Sequence, residues 1–275
     1  MASIGQIIFY SMITLIIFFS AIIILILALA FSSSSSTVMS TNTLPVGNLG
    51  EDELLSCYLY TQSAQATLQQ VSVTWEKKGL TGLVYKYKNG APDLGDQNSQ
   101  FKVRTQLFPD AVVTGNASLL LRTVRSSDEG EYTCSISSSD AGGKVNIHLR
   151  TAAFSAPTFK FSNGILAAEA SRWLPKPNVT WSGPDGNILQ GNTNFTQNSA
   201  GIFSVVSTLQ SVNVSVSDTY TYRIENNLVT AISKATITGS AVPGNTYFTY
   251  SAASSLLAST YLSMMTSVLC IYHLT

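Results

Sequence analysis

Charge is scarce in this chain: only 11% of its 275 residues are Asp, Glu, Lys or Arg, and the formal net charge is zero. There is no basic block to hold nucleic acid and no acidic tail, so electrostatics argue against a nucleic-acid partner and name no other. Histidine is scarcer still. His148 falls on an expected strand and His273 at the extreme end, and neither lies near a nucleophile or a metal-ligating cluster in sequence. A glycine-rich phosphate loop is also missing. The expectation is a protein that is not an enzyme, with no catalytic residue, metal, cofactor or small-molecule substrate. Cysteine is limited to Cys57, Cys134 and Cys270, the last inside a C-terminal apolar segment where it reads as an incidental small residue rather than a palmitoylation site.

What the chain does have is a strong motif. Asp128-Glu-Gly-Glu-Tyr-Thr-Cys134 is the D-x-G-x-Y-x-C pattern of an immunoglobulin F strand. Tyr132 stands two residues before the cysteine, where its hydroxyl ties back to nearby backbone. Upstream, Cys57 lies in the apolar run Leu54-Leu-Ser-Cys-Tyr-Leu59, and Trp75 ends the alternating run Val71-Ser-Val-Thr-Trp75. The triplet Cys57, Trp75, Cys134 resembles the core of an immunoglobulin sandwich, and that resemblance implies a Cys57–Cys134 disulfide and an oxidising compartment. The loop 138–143 and the alternating run Lys144 to Leu149 then follow as FG loop and G strand.

A second sandwich pattern begins after a connector at about 150–157. Ile165 to Ala170 reads as strand B, Asn178 to Trp181 as strand C, Ile202 to Leu209 as strand E, Asp218 to Ile224 as strand F, and Val229 to Thr238 as strand G. Aligned on the tyrosine corner, Tyr220 matches Tyr132, so Tyr222 and Ala168 take the places of the two inter-sheet cysteines, beside the core Trp181. A large aromatic facing a small residue is expected to fill the missing disulfide's space. Tyr222 is expected to be buried near Trp181 with its hydroxyl bonded to a polar partner. The fold class is therefore all-β: two tandem immunoglobulin-like sandwiches, V-type then constant-type, flanked by hydrophobic segments.

Both ends are apolar. Residues 7–31 are nearly unbroken Ile, Leu, Phe and Ala, with no Lys or Arg before them. Two readings fit: a signal peptide cleaved near Ala28-Leu-Ala-Phe-Ser-Ser33, or a signal anchor, since the run exceeds the usual h-region of about 7–15 residues. No Asp, Glu, Lys or Arg follows Lys234, and residues 252–274 are apolar or small. A single transmembrane helix and a glycolipid-anchor signal both fit this end. Four sequons, at Asn116, Asn178, Asn194 and Asn213, favour an extracellular-facing glycoprotein at the cell membrane. The expected layout is 1–31 signal peptide or anchor, 32–45 flexible, 46–150 V-type domain, 151–240 constant-type domain, 241–251 stalk and 252–275 membrane attachment.

Several local sequences narrow the family: Gly47-Asn-Leu-Gly-Glu-Asp52, Gly115-Asn-Ala-Ser-Leu119, Arg172-Trp173 with Pro175 and Pro177, and Ile224-Glu-Asn226. With the N-terminal Met1-Ala-Ser-Ile-Gly-Gln-Ile7, they resemble the membrane-bound T-cell co-signalling ligands related to butyrophilins. The resemblance implies a ligand for a receptor on T cells that restrains proliferation and cytokine production; a homophilic adhesion protein is the alternative. It implies binding through the G-F-C-C′ sheet, with Tyr85, Tyr87 and the loop residues Ser138, Ser139, Asp140 and Gly142 as candidate contacts. Tyrosine suits such a face because it buries much area with few rotors. It also implies that Arg104 pairs with Asp128 to close one end of the V-type sandwich.

Overall fold

The computed structural model describes residues 4–32, 37–60, 68, 70–139, 141–210, 218–238 and 242–251. Asp140, Asn213, Cys270 and the C-terminal apolar segment lie outside the described residues, as does 33–36, where the expected cleavage region ends.

Helix α1 (Ile4–Ser32) carries Phe9, Tyr10, Ile16, Phe18 and Ile24 exposed around its circumference. It is the one helix among the described residues long and apolar enough to cross a membrane. At 1.5 Å per residue it runs about 44 Å, against roughly 30 Å of hydrocarbon.

The first domain is built from β1 (Thr37–Met39), β2 (Val46–Asn48), β3 (Glu53–Leu55), β4 (Tyr58–Tyr60), β5 (Ser72–Lys77), β6 (Tyr85–Lys88), β7 (Ala91–Pro92), β8 (Thr105–Gln106), β9 (Leu119–Leu121), β10 (Gly130–Ser137) and β11 (Gly142–Ala152). One layer is the six-stranded sheet β2-β11-β10-β5-β6-β7, in which β2 runs parallel to β11; the other is formed by β3-β9-β8 and the pair β1-β4. Two boundaries differ from expectation. The segment 32–45, expected to be flexible, contains β1, because Val38 buries its side chain as β1 pairs with β4. Strand β11 also continues past 150, since its partner β2 extends the ladder to Ala152.

The motif residues meet at the core. Cys57 and Cys134 form a disulfide across 77 positions, a loop whose closure restricts the unfolded chain by about 4–5 kcal/mol in the chain-entropy description. Trp75 is fully buried opposite Cys134, and its indole donates to Ala117 O at 3.0 Å. Tyr132 donates its hydroxyl to Asp128 O at 2.6 Å. Gly130 is needed between them: its φ is +142°, and a Cβ there would meet Lys77 Cε at 3.1 Å. Arg104 forms an ion pair with Asp128, which is fully buried and also accepts from Arg125 N and Gln100 Nε2. Burial pushes the Asp128 carboxyl up, but these hydrogen bonds, Arg104 foremost, hold it below its ordinary value.

The second domain contains β12 (Thr158–Ser162), β13 (Ile165–Trp173), β14 (Asn178–Ser182), β15 (Ile188–Leu189), β16 (Asn192–Gln197), β17 (Phe203–Gln210), β18 (Thr219–Glu225), β19 (Val229–Thr236) and β20 (Gly244–Tyr250). They form the sheets β12-β13-β17-β16 and β15-β14-β18-β19-β20. Ala168 and Tyr222 are both fully buried, one in each sheet. The Tyr222 ring lies edge-on to Trp181 at 4.7 Å and to Phe159 at 5.8 Å. Contrary to expectation, the Tyr222 hydroxyl has no hydrogen-bond partner among the described residues; its surroundings are aromatic, and Trp181 Nε1 instead donates to Ser207. Tyr220 is also buried.

The expected stalk 241–251 is overturned as well. Residues 244–250 form β20, paired along its whole length with β19. The reason is burial: Phe248 packs on Phe154 at 5.3 Å, Thr246 bonds Ser233 at 2.8 Å, and Gly244 lies so close to the Phe159 ring that a Cβ would sit 2.7 Å from it.

Candidate interaction face

The outer surface of the six-stranded sheet follows from register. On β6 the side chains alternate, so Tyr85 and Tyr87 opposite Trp75 and Val73 turn into the core while Lys86 and Lys88 turn out. Tyr85 and Tyr87 are 5% and 3% exposed and offer nothing to a partner on this face. This corrects the expectation, and the alternation of Tyr with Lys is the signal that distinguishes the two sets.

Cross-strand rows define what remains outside. Thr74 stands beside Lys86 on one side and Ser135 on the other, with Lys144 next to Ser135. Glu76, Thr133 and Asn146 form another row, and Thr133 bonds Asn146 at 3.0 Å. Further along, Lys78 bonds Glu131 at 2.6 Å, and Glu131 lies opposite His148. Lys86 bonds Asp93 at 2.8 Å. These exposed hydrogen-bonded pairs hold each ammonium above and each carboxylate below its ordinary range, while contributing little to stability. Lys77 differs: burial draws its ammonium down against the pull of Asp128 and Glu129, and it donates to Ser127 O at 2.6 Å. Glu76, Lys77, Lys78, Glu131, Thr133 and Asn146 line a shallow concavity of about 420 Å³. The face thus carries hydroxyls and charged side chains around a shallow concavity, with no exposed aromatic among these rows.

At one end of this face lies the loop between β10 and β11. Ser138 closes it, donating its hydroxyl to Ala141 O at 2.8 Å and accepting from Ala141 N. Ser139 is held by interactions of its own. Gly142 is required by contact, since a Cβ would lie 2.9 Å from Ile136 O. Ser138 and Ala141 thus tie the two ends of the loop to each other.

The described sequons lie elsewhere. Asn116 is exposed in the first domain's other layer, bridged to Tyr58, its side-chain oxygen accepting from Ser118. Asn178 is exposed on the outer side of β14, and Asn194 on the outer side of β16, one on each sheet of the second domain. Among the described residues no group of three or more His, Cys, Asp or Glu side chains could hold a metal ion.

Residues 41–150 match the family model of the immunoglobulin V-set domain. Across both domains, the chain is 39% identical over 254 residues to the V-set domain containing T-cell activation inhibitor 1 of Mus musculus, covering 88% of this chain and 87% of that protein. The Homo sapiens protein of the same name is 36% identical over the same shares. Among solved structures, the human B7-H4 IgV-like domain is similar at 36% identity, covering 42% of this chain and 96% of that one, with a TM-score of 0.38.

Proposed function

The chain belongs to the family of V-set domain-containing T-cell activation inhibitors, and on that premise we propose that it is a cell-surface ligand that restrains T-cell activation by engaging a receptor on T cells. The observation that carries the reading is the similarity to those inhibitors across both domains and 88% of the chain. The six-stranded sheet of the first domain is the binding face. Its support is a contrast between surfaces: each sheet of the second domain carries a sequon, at Asn178 and Asn194, whereas the rows built on Lys86, Thr74, Ser135 and Lys144 carry none. Glycans at those positions leave the first domain's sheet open. Its hydroxyls and charged side chains favour a polar, hydrated contact whose charges steer encounter more than they add affinity.

The N-terminal helix directs the chain across the membrane and the C-terminal apolar segment holds it there, with both domains outside. The test is to display the full chain on stimulator cells beside an activating antibody and measure T-cell proliferation and cytokine release. A dose-dependent fall is expected, weakened by the pair Lys88→Glu and Lys144→Glu with surface level unchanged. Equal proliferation with and without the chain at every surface density refutes the reading.

A further inference from the structure

Open sheet edges are ordinarily guarded by shortness, proline, an inward or central charge, or a cover. Most described edges here obey that rule. Strands β2, β3 and β8 have three residues or fewer, β7 ends on Pro92, and β15 has two residues. Lys160 sits at the centre of β12, and β16 carries the Asn194 sequon. Strand β20 departs from it. It is a seven-residue edge, Gly-Asn-Thr-Tyr-Phe-Thr-Tyr, without charge or proline and without a shift of register against β19.

The direction of its free groups can be read from its ends. Ser251 N donates to Leu228 O, and Thr236 N donates to Pro243 O. Antiparallel ladders alternate, so odd-numbered residues of β20 turn their backbone groups toward β19. The N–H and C=O of Gly244, Thr246, Phe248 and Tyr250 therefore face away from β19, along an edge that no other described strand pairs. On the outer surface Tyr247 is 51% exposed and lies opposite the half-buried Ile232.

We propose that β20 is a self-pairing edge through which two copies of this chain join antiparallel, centred on Tyr247. In that register all seven residues pair: Tyr247 meets the second copy's Tyr247, Thr246 meets Phe248, Asn245 meets Thr249, and Gly244 meets Tyr250. The even-numbered residues then form the hydrogen-bonded pairs, as their free groups require. A two-fold contact sets every residue against its own kind or a neighbour, and a charge-free strand places no like charges opposite each other. The outer rows Ile232–Tyr247 of the two copies join into one apolar stripe. A second copy fits better than an unrelated strand because the edge offers no charge by which another partner would be selected. The proposal stands apart from the reading of the first domain, whose T-cell assay does not depend on it.

The experiment uses the full-length chain carrying Cys270→Ser in detergent; Cys57 and Cys134 are already bonded to each other. Tyr247→Cys is expected to give a covalent dimer under mild oxidation, since facing antiparallel residues come within disulfide reach. Lys234→Cys, one strand inward from the edge, is expected to stay monomeric. Mixing an Asn245→Cys chain with a differently tagged Thr249→Cys chain is expected to yield a dimer bearing both tags. Tyr247→Lys, a half-exposed site that leaves the fold intact by its melting curve, is expected to abolish the non-covalent dimer in sedimentation. Dimer from Tyr247→Cys no greater than from Lys234→Cys overturns the proposal. So does Asn245→Cys linking to itself in preference to Thr249→Cys, which means parallel pairing.

Discussion

Tyr222 fills the position that a disulfide sulfur takes in the first domain, and it brings a cost with it. Its ring is fully buried against Trp181 and Phe159, yet the hydroxyl has no partner among the described residues. A buried hydroxyl without a hydrogen bond costs about 1–3 kcal/mol. Tyr222→Phe should therefore stabilise the second domain by about 1–2 kcal/mol in denaturant titration, in the lower part of that range. Tyr222→Ala should cost about 3–5 kcal/mol, because the emptied volume cannot fully collapse. Opposite signs at one position separate the ring's packing from the hydroxyl's desolvation. Asp128 is the converse case, a buried group with every partner supplied. Removing Arg104 by Arg104→Ala strands a fully buried carboxylate and should cost about 3–5 kcal/mol at neutral pH. In the intact chain the depressed Asp128 carboxyl adds stability above its ordinary value of 3.8 that disappears as pH falls through the folded-state value. Acid unfolding below about pH 4 should therefore be blunted in Arg104→Ala, measured as a flatter fall in melting temperature.

Among the elements, β20 depends most on a single glycine. A Cβ at Gly244 would lie 2.7 and 2.8 Å from two atoms of the Phe159 ring, and a ring held edge-on to Trp181 and Tyr222 has little room to yield. Gly244→Val should cost about 1–3 kcal/mol by overpacking, and amide exchange across 244–251 should accelerate while β10 and β11 are unaffected. The strand was hard to read from sequence for a physical reason. Its inward side chains Thr246, Phe248 and Tyr250 and its outward Asn245, Tyr247 and Thr249 mix polar and aromatic on both faces, so the period-2 contrast that marks a strand is blurred. Strands β5, β10 and β14 were legible because their motif residues have one structural use each: Tyr132 as a corner, Trp75 and Trp181 as core rings. The proposed binding face was half legible. The sheet followed from the motif, but the direction of Tyr85 and Tyr87 depends on register with Val73 and Trp75. Only the Lys86 and Lys88 alternation carries that information in sequence.

The two domains are joined by contacts between residues far apart in the chain, which no local pattern announces. The Asn48 amide both donates to Phe154 O and accepts from Phe154 N, at 3.1 Å each. Arg172 donates to Leu49 O, and Arg150 donates to Leu44 O and to Ser251 O. Tyr250 closes on Phe154 at 5.9 Å, so the end of the second domain's last strand reaches the junction of the two domains. Glu53 of β3 lies near enough to Tyr250 for its charge to push that phenol up, after burial, and burial lifts its own carboxyl from the ordinary 4.5 to about 7. A carboxyl raised on folding means that the folded state holds its proton more tightly than the unfolded state does. Its contribution is therefore favourable at low pH and is lost as pH rises from about 4.5 through about 7, opposite in sign to that of Asp128. The two effects together predict a stability maximum on the acidic side of neutrality. Glu53→Gln keeps the shape of the side chain without the charge. It should raise the melting temperature at pH 7.5 and flatten the profile between pH 4.5 and 7, leaving the acid limb governed by Asp128 unchanged. Melting curves of the two proteins across that range decide the matter: parallel profiles would mean that Glu53 titrates as an ordinary surface carboxylate and that the junction is open to water.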